Sequence, residues 1–268
     1  MRRMALMVFV LALSLTGCVR KTEDALLVYC GGSMRQPMEE IAKLYEQKYG
    51  RRVDLSFGDS GTITLQAEER RAGDGYVVHD PFATIAGKKG LIGRTVKVAV
   101  LMPSIGVKPG TKGEREVKDL ADLAKPGLKI AIPHATKSTC GQVLAAILKK
   151  SNFEEALRKN AVLVSRSSGD LVNALTLGSV DAVVAWDAII RRDKTLKVVP
   201  IAEKYQVDAV TSATGKDYPV ERLYVTISVL KSTENASAME KLLDLAASEE
   251  GQAVFRRVGF TPISDVSP

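Results

Sequence analysis

Val28-Tyr29-Cys30-Gly31-Gly32-Ser33 and Phe57-Gly58-Asp59-Ser60-Gly61-Thr62 are the two stretches whose reading decides the fold. Each begins as a short apolar run, breaks at glycine and gives way to a hydroxyl residue. A short apolar run bounded by turn residues suits a buried strand. After the first stretch Pro37 sits where an opening helical turn tolerates proline. Met38, Ile41, Ala42 and Tyr45 then recur at helical spacing, and Gly50 can end the helix. A helix over 62–72, stopped at Gly73, follows the second stretch. Each stretch therefore reads as strand, turn, helix.

Working outward, the same grammar continues. Strands are expected at 26–29, 53–57, 76–78 and 96–101, the last ending at Pro103. A second block carries strands at 129–132, 162–164, 182–186 and 196–199, with helices at 140–150 and 170–177. A late strand at 224–230 precedes helices at 236–247 and 251–258. Residues 108–113, rich in lysine and glycine, read as a surface loop. Strands alternating with helices imply α/β units with parallel sheets and helical cover. The return of a strand at Tyr224 after the second block places 26–100 and 225–268 in one lobe and 101–224 in the other.

The ends and the composition narrow the class. Arg2 and Arg3 precede an apolar run over 4–15, too short to span a bilayer, which needs roughly 20 residues. Residues 1–17 read as a secretory signal. Leu15-Thr16-Gly17-Cys18 resembles a lipobox, so 18–25 is expected to be a tether lipidated at Cys18. The formal charge of +7 favours anions. Its scattered lysines and arginines exclude a nucleic-acid stripe. Beyond Cys18 only Cys30 and Cys140 remain, with His79 and His134 as the two histidines. No zinc spacing is present, and no cofactor is expected. A disulfide between Cys30 and Cys140 is permitted in an exported protein, but both are expected to stay free.

Two further turns repeat the opening pattern, Ser138-Thr139-Cys140-Gly141 and Ser167-Ser168-Gly169-Asp170. Helix N-termini carry unpaired N–H groups and partial positive charge. They hold oxyanions without lysine or arginine. Serine adds an O–H donor. One such turn is ordinary capping; four, two in each block, point to anion binding.

From Leu26 to about Phe260 the chain resembles the molybdate/tungstate-binding proteins of ABC transporters. The resemblance rests on Val28 to Met34, Pro37 to Ala42, Phe57 to Thr62, Val180 to Trp186, Asp217 to Val220, Gly251 to Phe255 and Gly259-Phe260. It implies the two-lobed periplasmic binding protein type II fold, α/β, each lobe a sheet flanked by helices, closing on its ligand. It implies contacts from Ser33 and Ser60 on one lobe and amides at Cys140 and Leu171 on the other. A further donor belongs near Ala185 and Trp186. Relatives carry a tyrosine there; here the Trp186 indole N–H is the candidate. Ser138 stands where another branch carries a metal-ligating acid, which favours a tetrahedral site. His79 stands where relatives carry a small residue, and it narrows the cleft, adds a donor or packs as a partly buried structural histidine. Asp59 either accepts a proton from hydrogen phosphate or is a solvated turn residue.

The resemblance implies an extracytoplasmic, monomeric lipoprotein that captures molybdate or tungstate for an ABC permease. Phosphate, sulfate and thiosulfate share the tetrahedral geometry and stay open as ligands. A membrane-tethered sensor would use the same binding residues. An enzyme with Cys140 as nucleophile and His134 as its base is the reading of another class.

Overall fold

The computed structural model describes residues 25–266 apart from 206, 212–216 and 220–222. Residues 1–24, with the expected signal and Cys18, lie outside them, as does Val220. The first strand, β1 (Leu26–Gly31), buries five of its six residues because it has a strand on either side in its sheet. Helix α1 (Arg35–Tyr49) turns Met38, Ile41, Ala42 and Tyr45 onto that sheet and stops at Gly50, which takes φ 69°. β2 (Val53–Gly58), α2 (Ser60–Arg70), β3 (Gly75–His79), α3 (Phe82–Lys88) and β4 (Ile92–Leu101) follow. The chain then enters a second sheet through β5 (Pro103–Val107).

That second unit holds α4 (Lys112–Glu116), β6 (Ile130–Pro133), α5 (Thr139–Lys149), α6 (Glu154–Lys159), β7 (Ala161–Ser165), α7 (Ser168–Thr176), β8 (Ala182–Trp186), α8 (Asp187–Arg192) and β9 (Lys197–Pro200). A two-stranded antiparallel ribbon, β10 (Ala209–Thr211) with β11 (Asp217–Pro219), precedes the return. β12 (Leu223–Leu230), α9 (Ala236–Ala247), α10 (Glu249–Arg257) and β13 (Thr261–Pro262) complete the first sheet.

The two sheets run β13-β4-β12-β3-β1-β2 and β7-β6-β8-β5-β9. Both are mixed, which corrects the expectation of parallel sheets. β1 is parallel to β2 and β3, and β6 to β7 and β8. β12, however, inserts antiparallel between β3 and β4, and β5 lies antiparallel to β8 and β9. The reason is the crossing: a strand that leaves one sheet for the other meets its new neighbours from the opposite end. Pro103 opens β5 rather than ending a strand, and Lys112 opens α4 inside the expected loop.

α9 and α10 pack on β4, on β12 and against α1. The Tyr45 hydroxyl donates to the Ala238 carbonyl at 2.9 Å, and the buried Gln252 amide to the Val98 carbonyl at 3.0 Å. Phe255 is fully buried there, worth about 1.5–3 kcal/mol against exposure. The chain is α/β, two sheets each flanked by helices, as the resemblance implies.

Candidate functional site

β1 and β2 are parallel neighbours in register, with Gly31 opposite Gly58. Ser33 and Ser60 each stand two residues beyond that glycine pair, in the turns that follow the carboxyl ends of the strands. This is where ligands bind in open α/β sheets. Both serines are partly exposed. A methyl group on Gly31 would lie 3.3 Å from the Ser60 Oγ and 2.5 Å from the Met34 Cε. The bare glycine therefore lets the second serine lie over the first turn. No side chain caps the short turn Gly32–Met34 or the entry to α1.

α2 is capped by Asp59, whose carboxylate accepts the Thr62 amide at 3.0 Å and the Thr62 hydroxyl at 2.7 Å. Burial alone would raise this carboxyl. The Thr62 bonds, the positive field of Arg166 and the Gly61 amide outweigh it and hold it below its ordinary value. Asp59 is therefore an ionised helix cap, and Arg166 lies in the turn between β7 of the second sheet and α7. Behind Ser60, its carbonyl accepts the Thr64 hydroxyl. Thr64 Oγ lies 2.5 Å from the Tyr76 hydroxyl. Because the Thr64 proton is already given to a carbonyl, Tyr76 is the donor of that second bond. Burial pushes the Tyr76 phenol up to about 12, so it remains a donor at neutral pH.

The other sheet presents two helix starts. Ser138 caps α5 by accepting the Gly141 amide, and the Gln142 amide donates to the Ser138 carbonyl. Thr139 and Cys140 are thus the residues whose amides precede the internal bonding of the helix. Ser167 caps α7 by accepting the Asp170 amide at 3.2 Å. The Leu171 amide donates to the Ser167 carbonyl at 3.3 Å. That is already the first internal helical bond, so Leu171 is corrected as a donor: Ser168 and Gly169 hold the unbonded positions. Counting from Ser167 as the cap gives this result; matching a motif missed it by one turn of amides.

Ser168 was also missed as a side chain. It is buried, and its hydroxyl accepts the Trp186 amide at 3.4 Å, tying the start of α7 to the end of β8. The Trp186 ring is 3% exposed and meets the His79 ring across the two sheets, centroids 5.4 Å apart. His79 Nδ1 lies 2.8 Å from the Asp80 carbonyl. A carbonyl only accepts, so Nδ1 carries the proton and Nε2 presents a lone pair. Burial depresses the His79 imidazole below its ordinary range, with the Asp80 carbonyl and carboxylate opposing, and keeps it neutral. His79 is therefore a buried, neutral imidazole packed against Trp186 across the two sheets.

Arg35, at the start of α1, stacks over the Phe57 ring at 3.7 Å, close to both serine turns. Its signal in the sequence is faint, since cation and ring lie on different elements and only the β1–β2 register brings them together.

No activated nucleophile forms at Cys140. The thiol is fully buried, and burial, with the Asp187 charge, drives it well above the ordinary thiol range. His134 spends its Nδ1 as acceptor for the Thr136 and Lys137 amides, both at 3.3 Å. Among the described residues no helix is long and apolar enough to cross a membrane.

Comparison with known proteins agrees with this architecture. The chain is 24% identical over 238 residues to a protein of Haemophilus influenzae described as a binding protein, covering 88% of this chain and 91% of the relative. The periplasmic molybdate-binding protein of Azotobacter vinelandii superposes with a TM-score of 0.68 at 18% identity, covering 91% of this chain and 99% of that one. Iron-bound HitA of Pseudomonas aeruginosa gives 0.66 at 17%, covering 91% and 90%. At such identities the structures share the fold alone, and one binds molybdate while the other holds iron, so fold does not name the ligand. Over residues 26–261 the sequence matches the pattern of the bacterial extracellular solute-binding proteins, and the chain belongs to that family.

Proposed function

We propose that this solute-binding protein captures a tetrahedral oxyanion, molybdate or tungstate, and hands it to an ABC-transporter permease. The reading is supported by the matching positions of Ser33 and Ser60, two residues beyond the register-matched Gly31 and Gly58, and by the Ser60 hydroxyl lying over Gly31. Two hydroxyls and the amides of two helix starts make a donor-rich cradle on one lobe, with the Arg35 guanidinium over Phe57 beside it. Thr139, Cys140, Ser168 and Gly169 offer the complementary amides on the other, and Trp186 with His79 closes one side. A site made of neutral donors and helix dipoles suits a small dianion. In this reading the protein is exported, monomeric and tethered to the membrane by acylated Cys18, with several acyl chains making the anchor stable.

A second reading rests on the His79 Nε2 lone pair. An oxyanion that carries a proton, such as hydrogen phosphate, would find an acceptor there; molybdate, sulfate and thiosulfate would not use it. Isothermal titration with molybdate, tungstate, sulfate, thiosulfate and phosphate separates the cases. Tightest binding of molybdate and tungstate is expected. Preference for phosphate favours the second reading, and binding of none of the five overturns both. Anchoring is checked by labelled palmitate, which should be incorporated by the parental chain and not by Cys18→Ser.

A further inference from the structure

The residue after Trp186 ties the ligand side of the second lobe to the crossing between lobes. Asp187 is 3% exposed. Its amide donates to the Met102 carbonyl at 2.9 Å, and its Oδ1 accepts the Met102 amide at 3.0 Å. Met102 is the one residue between β4 of the first sheet and β5 of the second. The other carboxylate oxygen accepts Arg191 Nη1 at 2.5 Å.

Arg191, four residues on along α8, does not stop at Asp187. The same nitrogen reaches the Gly259 carbonyl at 3.4 Å and the Thr261 hydroxyl at 3.3 Å. Thr261 pairs with Val100 of β4. The contacts thus form a closed circuit: β4, Met102, Asp187, Arg191, Thr261 and back to β4. Gly259 lets the two parts approach. It takes φ +95°, and a methyl group there would come 2.7 Å from the Ala188 carbonyl and 3.1 Å from the Arg191 Cβ. The first and second lobes therefore meet at this corner through backbone contact and one shared guanidinium.

We infer that Asp187 and Arg191 form a strut that sets the angle between the lobes, with Asp187 acting as a positioning residue for the ligand site through Trp186. This rests on the proposed capture of a ligand between the lobes. Asp187 is buried while the Arg191 side chain is 41% exposed, so the pair adds little to stability in itself, and a well-attested use of such a pair is to select one arrangement among several. Here each partner also holds a backbone or hydroxyl group of the other lobe or of the crossing, so the pair has an arrangement to select. Without the strut the ligand-free lobes sample a wider range of angles. More conformational freedom is then lost on closure, and affinity falls.

The test uses spin labels at Glu69→Cys and Leu177→Cys, both exposed, one on each lobe. Double electron–electron resonance then reads the interlobe distance with and without ligand. Arg191→Met is expected to broaden the ligand-free distribution, leave the molybdate-bound distribution narrow, and weaken molybdate about threefold to tenfold. Thr261→Val removes one cross-lobe acceptor while keeping the Asp187–Arg191 pair, and should broaden the ligand-free distribution less. It also serves if Arg191→Met does not fold. Parental distance distributions in the folded variants would overturn the strut. If the parental protein binds none of the five anions, the functional reading fails, yet the ligand-free distances still decide the strut.

Discussion

At the scale of single residues, the proposed site depends on which donors are spent and which are free. Ser33→Ala or Ser60→Ala removes one donor and leaves the helix dipoles in place. A hydrogen bond to a charged group is worth roughly 1.5–3 kcal/mol, so each change should weaken molybdate about tenfold to a hundredfold. Cys140→Ser keeps the backbone amide and should bind within about threefold of the parent on the same scale. Titration of the three variants checks this, and two serine variants of parental affinity would move the site elsewhere. His79 carries a separate signature. Its folded pKa lies below its unfolded value, near 6.5. As pH falls through that value the unfolded chain takes up the proton first. The His79 contribution is therefore whole above about pH 6.5 and is lost towards the lower folded value. Urea midpoints between pH 7.5 and 5 should fall less steeply in His79→Gln than in the parent; equal slopes would show that His79 is not the group responsible.

At the scale of elements, the start of α2 joins stability to binding. Asp59 is its cap, so Asp59→Ala should cost about 0.5–2 kcal/mol in urea unfolding. Asp59→Asn keeps a good cap and removes a negative charge beside Ser60. Molybdate affinity in that variant should hold or tighten, because a dianion no longer faces a carboxylate. A loss of affinity would mean that the Asp59 charge itself serves the ligand. α7 shows why local reading stops short. Ser167 was visible as a cap signal, and the span of the helix was nearly right. The expected donor Leu171 still has its amide bonded to the Ser167 carbonyl, because a resemblance carries residues while hydrogen bonds count from the cap. The Trp186 amide on the Ser168 hydroxyl could not be read at all, since α7 and β8 are joined only by packing.

At the scale of the whole molecule, the two cysteines lie on distant elements, Cys30 in β1 of the first sheet and Cys140 in α5 beside the second, both free and fully buried. Thiol titration without reductant should therefore find Cys30 and Cys140 silent in the native protein and reactive in denaturant. A disulfide between them, seen as no reactive thiol at either position after denaturation, would contradict the structure. Burial also places both thiols above their ordinary range. A raised folded value means a contribution present below the unfolded thiol pKa and eroded as pH rises through it.

What the sequence determined by itself is local and repetitive. The apolar run at 182–186 and the helix-like segment at 236–247 are bounded by their own turn and helix signals, and they form β8 and α9 with those limits. The α/β class follows from the same alternation, because strand and helix periodicities are written in neighbouring residues. Only the tertiary structure decided the direction of β5 and β12, since antiparallel insertion depends on where a chain re-enters a sheet formed by distant segments. It also decided that His79 meets Trp186, that Arg35 lies over Phe57, and that Arg191 reaches Thr261. Each of those contacts joins residues on separate elements. Burial and register bring them together, and no periodicity along the chain encodes the meeting.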